Sequence, residues 1–282
     1  MNDIVTVPAP YGILDGISNE EYHAGPGISK SGLWTLYDKT PAHFKYGERK
    51  AKNAFDVGEA IHLAVLQPDV FETRVIRGPA DRRGNNWKEF QAEAVSSKRL
   101  LLTSGDFDEA LEVRDSVHAD SWINRMIVST HSMVEYSGYW IDPETGVLCR
   151  CRPDLYRPDL GIMFDLKTTR SAAEEAFTRD VGNYGYHAQE AFYGDGFRAL
   201  GARVDAFVFI ALEKDTPYCR AVYDIEPAFV EEGRQIMRRA LKTYNQCQTY
   251  NIWPGYPAEV MTLSPKKWAY RETEAPVGGH EE

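Results

Sequence analysis

The spacing of apolar residues changes four times along this chain. In the opening third it is helical: KSGLWTLYDK follows Ser29, a plausible cap, and Thr40-Pro41 supplies the cap-then-proline start of a second short helix. FDVGEAIHLAVLQ is apolar on most sides and predicts a buried helix ending at Pro68, with Glu59 and His62 one turn apart on a common face. Two amphipathic helices are predicted over roughly Trp87 to Ser97 and Phe107 to Ala119. The period then falls to two. SMVEYSGYWI, VLCRCRPDLY and IMFDLKTT, separated by the turn signals DPETG and RPDLG, predict three consecutive antiparallel strands. Helical spacing returns around Ser171 to Arg179 and from about Tyr184 to Leu200. The apolar strand VDAFVFIALE, the edge-like strand YCRAVYDI and a long amphipathic helix from Glu226 to Tyr250 complete the pattern. The expected class is α/β: a central mixed sheet flanked by helices, with a helical N-terminal third.

Composition narrows this. The chain has 282 residues, of which 43% are hydrophobic and 12% aromatic, enough for one large domain with a sizeable core. We expect a single domain over 1–282, its core at about 12–250 and a C-terminal tail over 251–282. MNDIVTVPAP lacks the basic and apolar regions of a signal peptide, and no eighteen apolar residues run together, so the expectation is a cytoplasmic protein with no membrane partner. Cys149, Cys151, Cys219 and Cys247 fit neither a disulfide framework nor paired C-x-x-C zinc ligands and are expected to be buried or inert. A net charge of −10 argues against a general nucleic-acid coat protein. Two local runs oppose that total: Lys45, Arg49, Lys50 and Lys52 against the single Glu48, and Arg82-Arg83 beside Gly-Asn-Asn. Such runs are ordinarily solvated faces; here they are also candidates for touching phosphate.

The chemistry concentrates in GIMFDLKTTR. On a strand, Asp165 and Lys167 share one face while Phe164 and Leu166 take the other. If the preceding turn is centred on Asp159 and Leu160, Asp154 lands opposite Asp165, about 4.8 Å away across the ladder. Two adjacent carboxylates repel and call for a cation or a shared proton, and hard oxygen ligands suit Mg²⁺ or Mn²⁺. The structural alternative is a cross-strand ladder pairing Arg152 with Asp165 and Asp154 with Lys167. His62 has its own plain reading as a hydrogen-bonded core histidine. Gln189 and Tyr193, four apart on a helix, could donate to a phosphate, or Tyr193 could be core.

Taken in order, Gly58-x-x-x-His62, Pro153-Asp154, Asp165-Leu166-Lys167 and Gln189-x-x-x-Tyr193 resemble the PD-(D/E)xK nuclease superfamily and its exonuclease branch with RecB-type motifs. YHAGPGISKSGLWTLYDKTPAHFKY, FDVGEAIHLAVLQP, CRPDLYR and YGYHAQEAFY resemble the nuclease domain of the prophage-encoded RecE-type exonucleases, over roughly Gly12 to Tyr250. That resemblance implies the PD-(D/E)xK fold and a hydrolase that degrades linear double-stranded DNA from 5′ ends, leaving 3′ overhangs for recombination. His62, Asp154, Asp165 and the main-chain carbonyl of Leu166 would be metal ligands for Mg²⁺, with Mn²⁺ able to substitute. Lys167 would orient or activate the attacking water, and Gln189 and Tyr193 would hold the DNA backbone or the lysine. Double-stranded DNA ends, a homo-oligomeric ring with a tetramer favoured, and a single-strand annealing protein are the partners it implies. Asp165 stands where glutamate is common in the superfamily, and the cysteines lack the clustering of its iron–sulfur branch. A non-catalytic DNA-end or partner-binding module and a structure-specific endonuclease are the competing functions on the same fold.

Overall fold

The computed structural model describes residues 10–48 and 57–263. The first strand, β1 (Gly12–Leu14), leads to α1 (Asn19–Ala24), which Ser18 and Glu21 close with a reciprocal capping box. β2 (Ile28–Ser29) runs straight into α2 (Lys30–Asp38), where the Ser29 side chain accepts the Gly32 N–H as its spacing suggests. α3 (Pro41–Tyr46) starts on Thr40 and Pro41, as expected. α4 (Val57–Leu66) carries the buried apolar run; its expected start at Phe55 lies outside the described residues. α4 ends just before Pro68, as expected, but Pro68 is more than a stop. It opens α5 (Pro68–Arg74), occupying a first-turn position where the missing N–H costs nothing. β3 (Val75–Arg77), α6 (Gly84–Ser97) and β4 (Leu100–Leu102) form a small parallel unit. α7 (Ser104–Ala119) and α8 (Ser121–Ile127) follow, the latter capped by Asp120.

Two of the three expected middle strands are each divided. The first becomes β5 (Met133–Val134) and β6 (Ser137–Ile141), interrupted at Glu135, whose φ of 57° turns the chain out of extended geometry. The second becomes β7 (Leu148–Cys151) and β8 (Leu155–Arg157), interrupted at Pro153, which has no N–H to give a ladder. The third is continuous as β9 (Ile162–Thr169). Then come α9 (Glu174–Tyr184), α10 (Tyr186–Ala199), β10 (Ala206–Glu213), β11 (Arg220–Tyr223) and α11 (Pro227–Tyr250). The interruptions send the two halves of each divided strand into different sheets. One sheet runs β1-β6-β7-β2 and the other β11-β10-β9-β8-β5, mixed because β9 and β10 pair in parallel across the α9–α10 crossover.

The five-stranded sheet separates two apolar layers. Phe164, Leu166, Ile210 and Leu212 pack with Ile61, Val65, Val113 and Ile123 of α4, α7 and α8. Met163, Phe207 and Phe209 on the opposite face pack with Phe177, Ala188, Phe192, Ile236 and Met237 of α9, α10 and α11. Asp165 and Lys167 alternate with Leu166 and therefore belong to the α10 side of the sheet. Cys149, Cys151 and Cys247 are buried, Cys219 is exposed, and all four are free thiols. Among the described residues no helix is long and apolar enough to cross a membrane.

Candidate active site

The β8–β9 hairpin has the register inferred from its turn: Leu155 faces Phe164, Tyr156 faces Met163 and Arg157 faces Ile162. Asp154 is the next residue out and continues that register toward Asp165. Its Oδ2 accepts the Leu166 N–H at 2.7 Å and stands 3.4 Å from His62 Nδ1, which α4 supplies from the other layer. Leu166 lies beyond the last β8 pair, and in an extended strand its carbonyl aims to the same side as its N–H, toward Asp154. The hairpin and α4 therefore bring an imidazole, a carboxylate and a main-chain carbonyl to one place.

Asp165 is 2% exposed, ion-paired with Lys167 Nζ at Oδ1 and accepting a hydrogen bond from the Gln189 side-chain amide at Oδ2. The Lys167 contact is an ion pair without hydrogen-bond geometry, so Oδ1 is a buried carboxylate oxygen that accepts no hydrogen bond. Lys167 Nζ also lies over the Tyr186 ring, 4.7 Å from its centroid. The alternative cross-strand ladder, Arg152 with Asp165 and Asp154 with Lys167, is not formed. Arg152 instead gives its guanidinium to Ser137 Oγ and the Ile17 carbonyl, and stacks over Tyr22 at 4.2 Å.

His62, Asp154 and Tyr193 line a cleft of 590 Å³ together with Glu59, Glu135 and Arg152. Burial, then the nearby Asp165 charge, raises the Asp154 carboxyl to about 6, against the opposing pull of His62 and Lys167. Tyr193 is driven well above the usual phenol range, first by burial. Glu59 accepts from Asn19 Nδ2 at 3.3 Å. A larger open groove of 1120 Å³ shares Asn19, His23, Glu59 and Arg74 with this cleft and adds Lys39, Lys98, Arg99 and Arg150, against Glu20 and Glu48. Of the basic runs singled out in sequence, Arg82 is paired with Asp106 at 2.6 Å, and Arg49, Lys50 and Lys52 lie outside the described residues.

The arrangement thus unites His62, Asp154, Leu166, Asp165, Lys167 and Gln189, with Tyr193 on the cleft wall. Among the described residues no three His, Cys, Asp or Glu side chains converge at ligating distance, because Asp165 is turned onto Lys167 and Gln189. The donor set still fits a hard divalent cation: two carboxylates, one with a buried oxygen that meets only the Lys167 ammonium and the other with its charge disfavoured, beside an imidazole and a carbonyl. Sequence reasoning missed Tyr186, Glu135 and Lys30. Lys30 directly follows the predicted cap Ser29, but nothing local marks its burial or places Tyr186 beneath Lys167.

The family model described as "PDDEXK-like domain of unknown function (DUF3799)" matches residues 38–263. No curated protein gives a significant match. Among solved structures, a protein from Eubacterium rectale, provisionally designated an exonuclease, superposes with a TM-score of 0.61 at 15% identity, covering 89% of this chain and 96% of its own. That likeness speaks for the fold alone. A phage-related exonuclease from Haemophilus somnus 129PT aligns over 80% of this chain and 96% of its own at 12% identity, with a TM-score of 0.36 that supports no argument.

Proposed function

This chain belongs to the PDDEXK-like domain family, DUF3799, and from that premise we propose that it is a Mg²⁺-dependent exodeoxyribonuclease that degrades linear duplex DNA from 5′ ends and leaves 3′ overhangs. The observation that carries the reading is the hairpin register, which sets Asp154 toward Asp165 with Lys167 on the same face and His62 at 3.4 Å. His62, Asp154, Asp165 and the Leu166 carbonyl would hold the metal, which when bound supplies charge neutralisation at the phosphate and a water acidic enough to attack near neutral pH. Lys167 offsets charge that develops on the phosphate and orients the nucleophile from a fixed perch between Asp165 and Tyr186. Gln189 fixes the rotamer of Asp165, and Tyr193 forms the wall against which the backbone is held.

The continuous groove supports a polymeric substrate. At 1120 Å³ it exceeds the roughly 300–1,000 Å³ of ordinary small-molecule pockets, and among the described residues its five Lys and Arg side chains outnumber its three Glu in a chain of net charge −10. A chain this acidic retains DNA best by encircling it, so the proposal includes a homo-oligomeric ring, most simply a tetramer, passing its overhang to a single-strand annealing protein. Light scattering at micromolar concentration should then give several times the 32.0 kDa of one chain.

The deciding experiment incubates linear and covalently closed duplex DNA with the protein and Mg²⁺. Loss of the linear form alone, abolished by chelator, is expected. Attack on the circle would make the protein an endonuclease, and band shifts without nucleotide release would make it a binding module.

A further inference from the structure

Lys30 is the first residue of α2 and only 8% exposed, an unusual place for an amine. Its Nζ donates to the main-chain carbonyl of Tyr184 at 2.5 Å and lies 4.9 Å from the centre of the Trp34 ring. Tyr184 is the last residue of α9, so the cation meets one of the carbonyls a helix C-terminus leaves unpaired, at the negative end of its dipole. The next residue, Gly185, adopts φ 67°, and a Cβ there would stand 2.5 Å from Trp34. Helix α2 therefore presses directly on the α9–α10 junction, with Lys30 as the polar half of the contact and Trp34 as the apolar half.

Residues at that junction touch the active-site side chains. Tyr186 follows Gly185, stacks on Phe209 at 5.7 Å and lies beneath Lys167 Nζ. The Gln189 main-chain N–H bonds back to the Gly185 carbonyl at 3.0 Å, and its side chain holds Asp165. We propose that Lys30 is a positioning residue for Lys167, acting by fixing the Tyr184–Gly185–Tyr186 junction and so the ring on which the Lys167 amine rests. The inference depends on the nuclease reading only for its kinetic consequence. Burial, and then the neighbouring Lys167, lowers the Lys30 amine to about 7, so its charged form is disfavoured where it sits.

The test uses Lys30→Met, Lys30→Gln, Lys30→Arg and Tyr186→Leu in the full chain. In Lys30→Met, kcat on linear duplex at saturating Mg²⁺ should fall by roughly 10- to 100-fold, the scale of a small misplacement of a reacting group. KM should hold, and the unfolding midpoint should stay level or rise, since a buried charge has been removed. Lys30→Arg should recover most of the rate. On a Tyr186→Leu background, Lys30→Met should cost no more than about twofold further, because both act on one path. Hydrogen exchange at 184–189 should quicken in Lys30→Met and Lys30→Gln and return to normal in Lys30→Arg. Normal kcat in Lys30→Met, full additivity with Tyr186→Leu, or unchanged exchange would each overturn the proposal. A wild-type protein inert toward DNA would overturn the nuclease reading instead, and the exchange measurement would still decide whether Lys30 holds the junction.

Discussion

Replacing Asp154 with asparagine should remove activity and make the metal-free protein more stable. The side chain keeps its shape, and its amide oxygen can still accept the Leu166 N–H that Asp154 Oδ2 accepts at 2.7 Å. What disappears is a charge the fold disfavours. The carboxyl rises from 3.8 to about 6, through burial first and the Asp165 charge second. At about 1.4 kcal/mol per tenfold, ionising it in the folded state costs about 3 kcal/mol more than in the unfolded chain. The sign follows from proton counts. Between about pH 4 and 6 the folded state holds more protons than the unfolded one, so wild-type stability falls as pH rises through that window. The amide of the variant does not titrate and has no such dependence. The stability difference between Asp154→Asn and wild type should be near zero below pH 4 and reach about 3 kcal/mol above pH 6. Urea unfolding in chelator at several pH values measures it directly. Adding Mg²⁺ should then raise the wild-type midpoint and leave the variant unmoved. A variant less stable than wild type at pH 8, or a difference that ignores pH, would show that the carboxylate is held comfortably and that the case for a cation there is wrong.

Lys167→Ala should lower kcat by on the order of a hundredfold or more with metal affinity intact by calorimetry, because the amine acts on charge in the transition state; lost Mn²⁺ binding with normal turnover would refute that role. His62→Ala should weaken Mn²⁺ binding by at least about tenfold, the scale on which ligand shells tune affinity; unchanged affinity and activity would return His62 to the core. Gly185→Ala should destabilise the protein by roughly 1–3 kcal/mol, since φ 67° is strained for alanine and its Cβ would collide with Trp34. Chemical denaturation measures this, and a neutral result would mean that α2 yields easily at the junction.

The hairpin was legible because its turn residues and alternation fix register together, and register alone sets Asp154 toward Asp165. Helix starts at Ser29 and Thr40 were legible because capping is local chemistry. Asp120 carried the same signal for α8, accepting the Trp122 and Ile123 N–H groups, and α5 was hidden only because Pro68 was read as a stop. The strand interruptions were half legible. Proline within VLCRCRPDLY announces a ladder's end, whereas nothing in SMVEYSGYWI marks Glu135 for positive φ. The short strands β1 and β2 depend on partners more than a hundred residues away, and the burial of Lys30 depends on α9 docking from equally far downstream. Such contacts leave no periodic trace.

The two carboxylates are secured over different spans of chain. Among the described residues, the side chains that hold Asp165 belong to one continuous stretch: Lys167 two residues on, itself resting on Tyr186, and Gln189 only 24 residues away. Asp154 meets His62 only after α4, from the other apolar layer, has docked against the sheet. Contacts of short separation close early in folding, and distant ones close late. A newly made chain should therefore assemble its lysine–aspartate–glutamine cluster first and gain its imidazole last, so that hydrolytic competence arrives with the final docking of the layers.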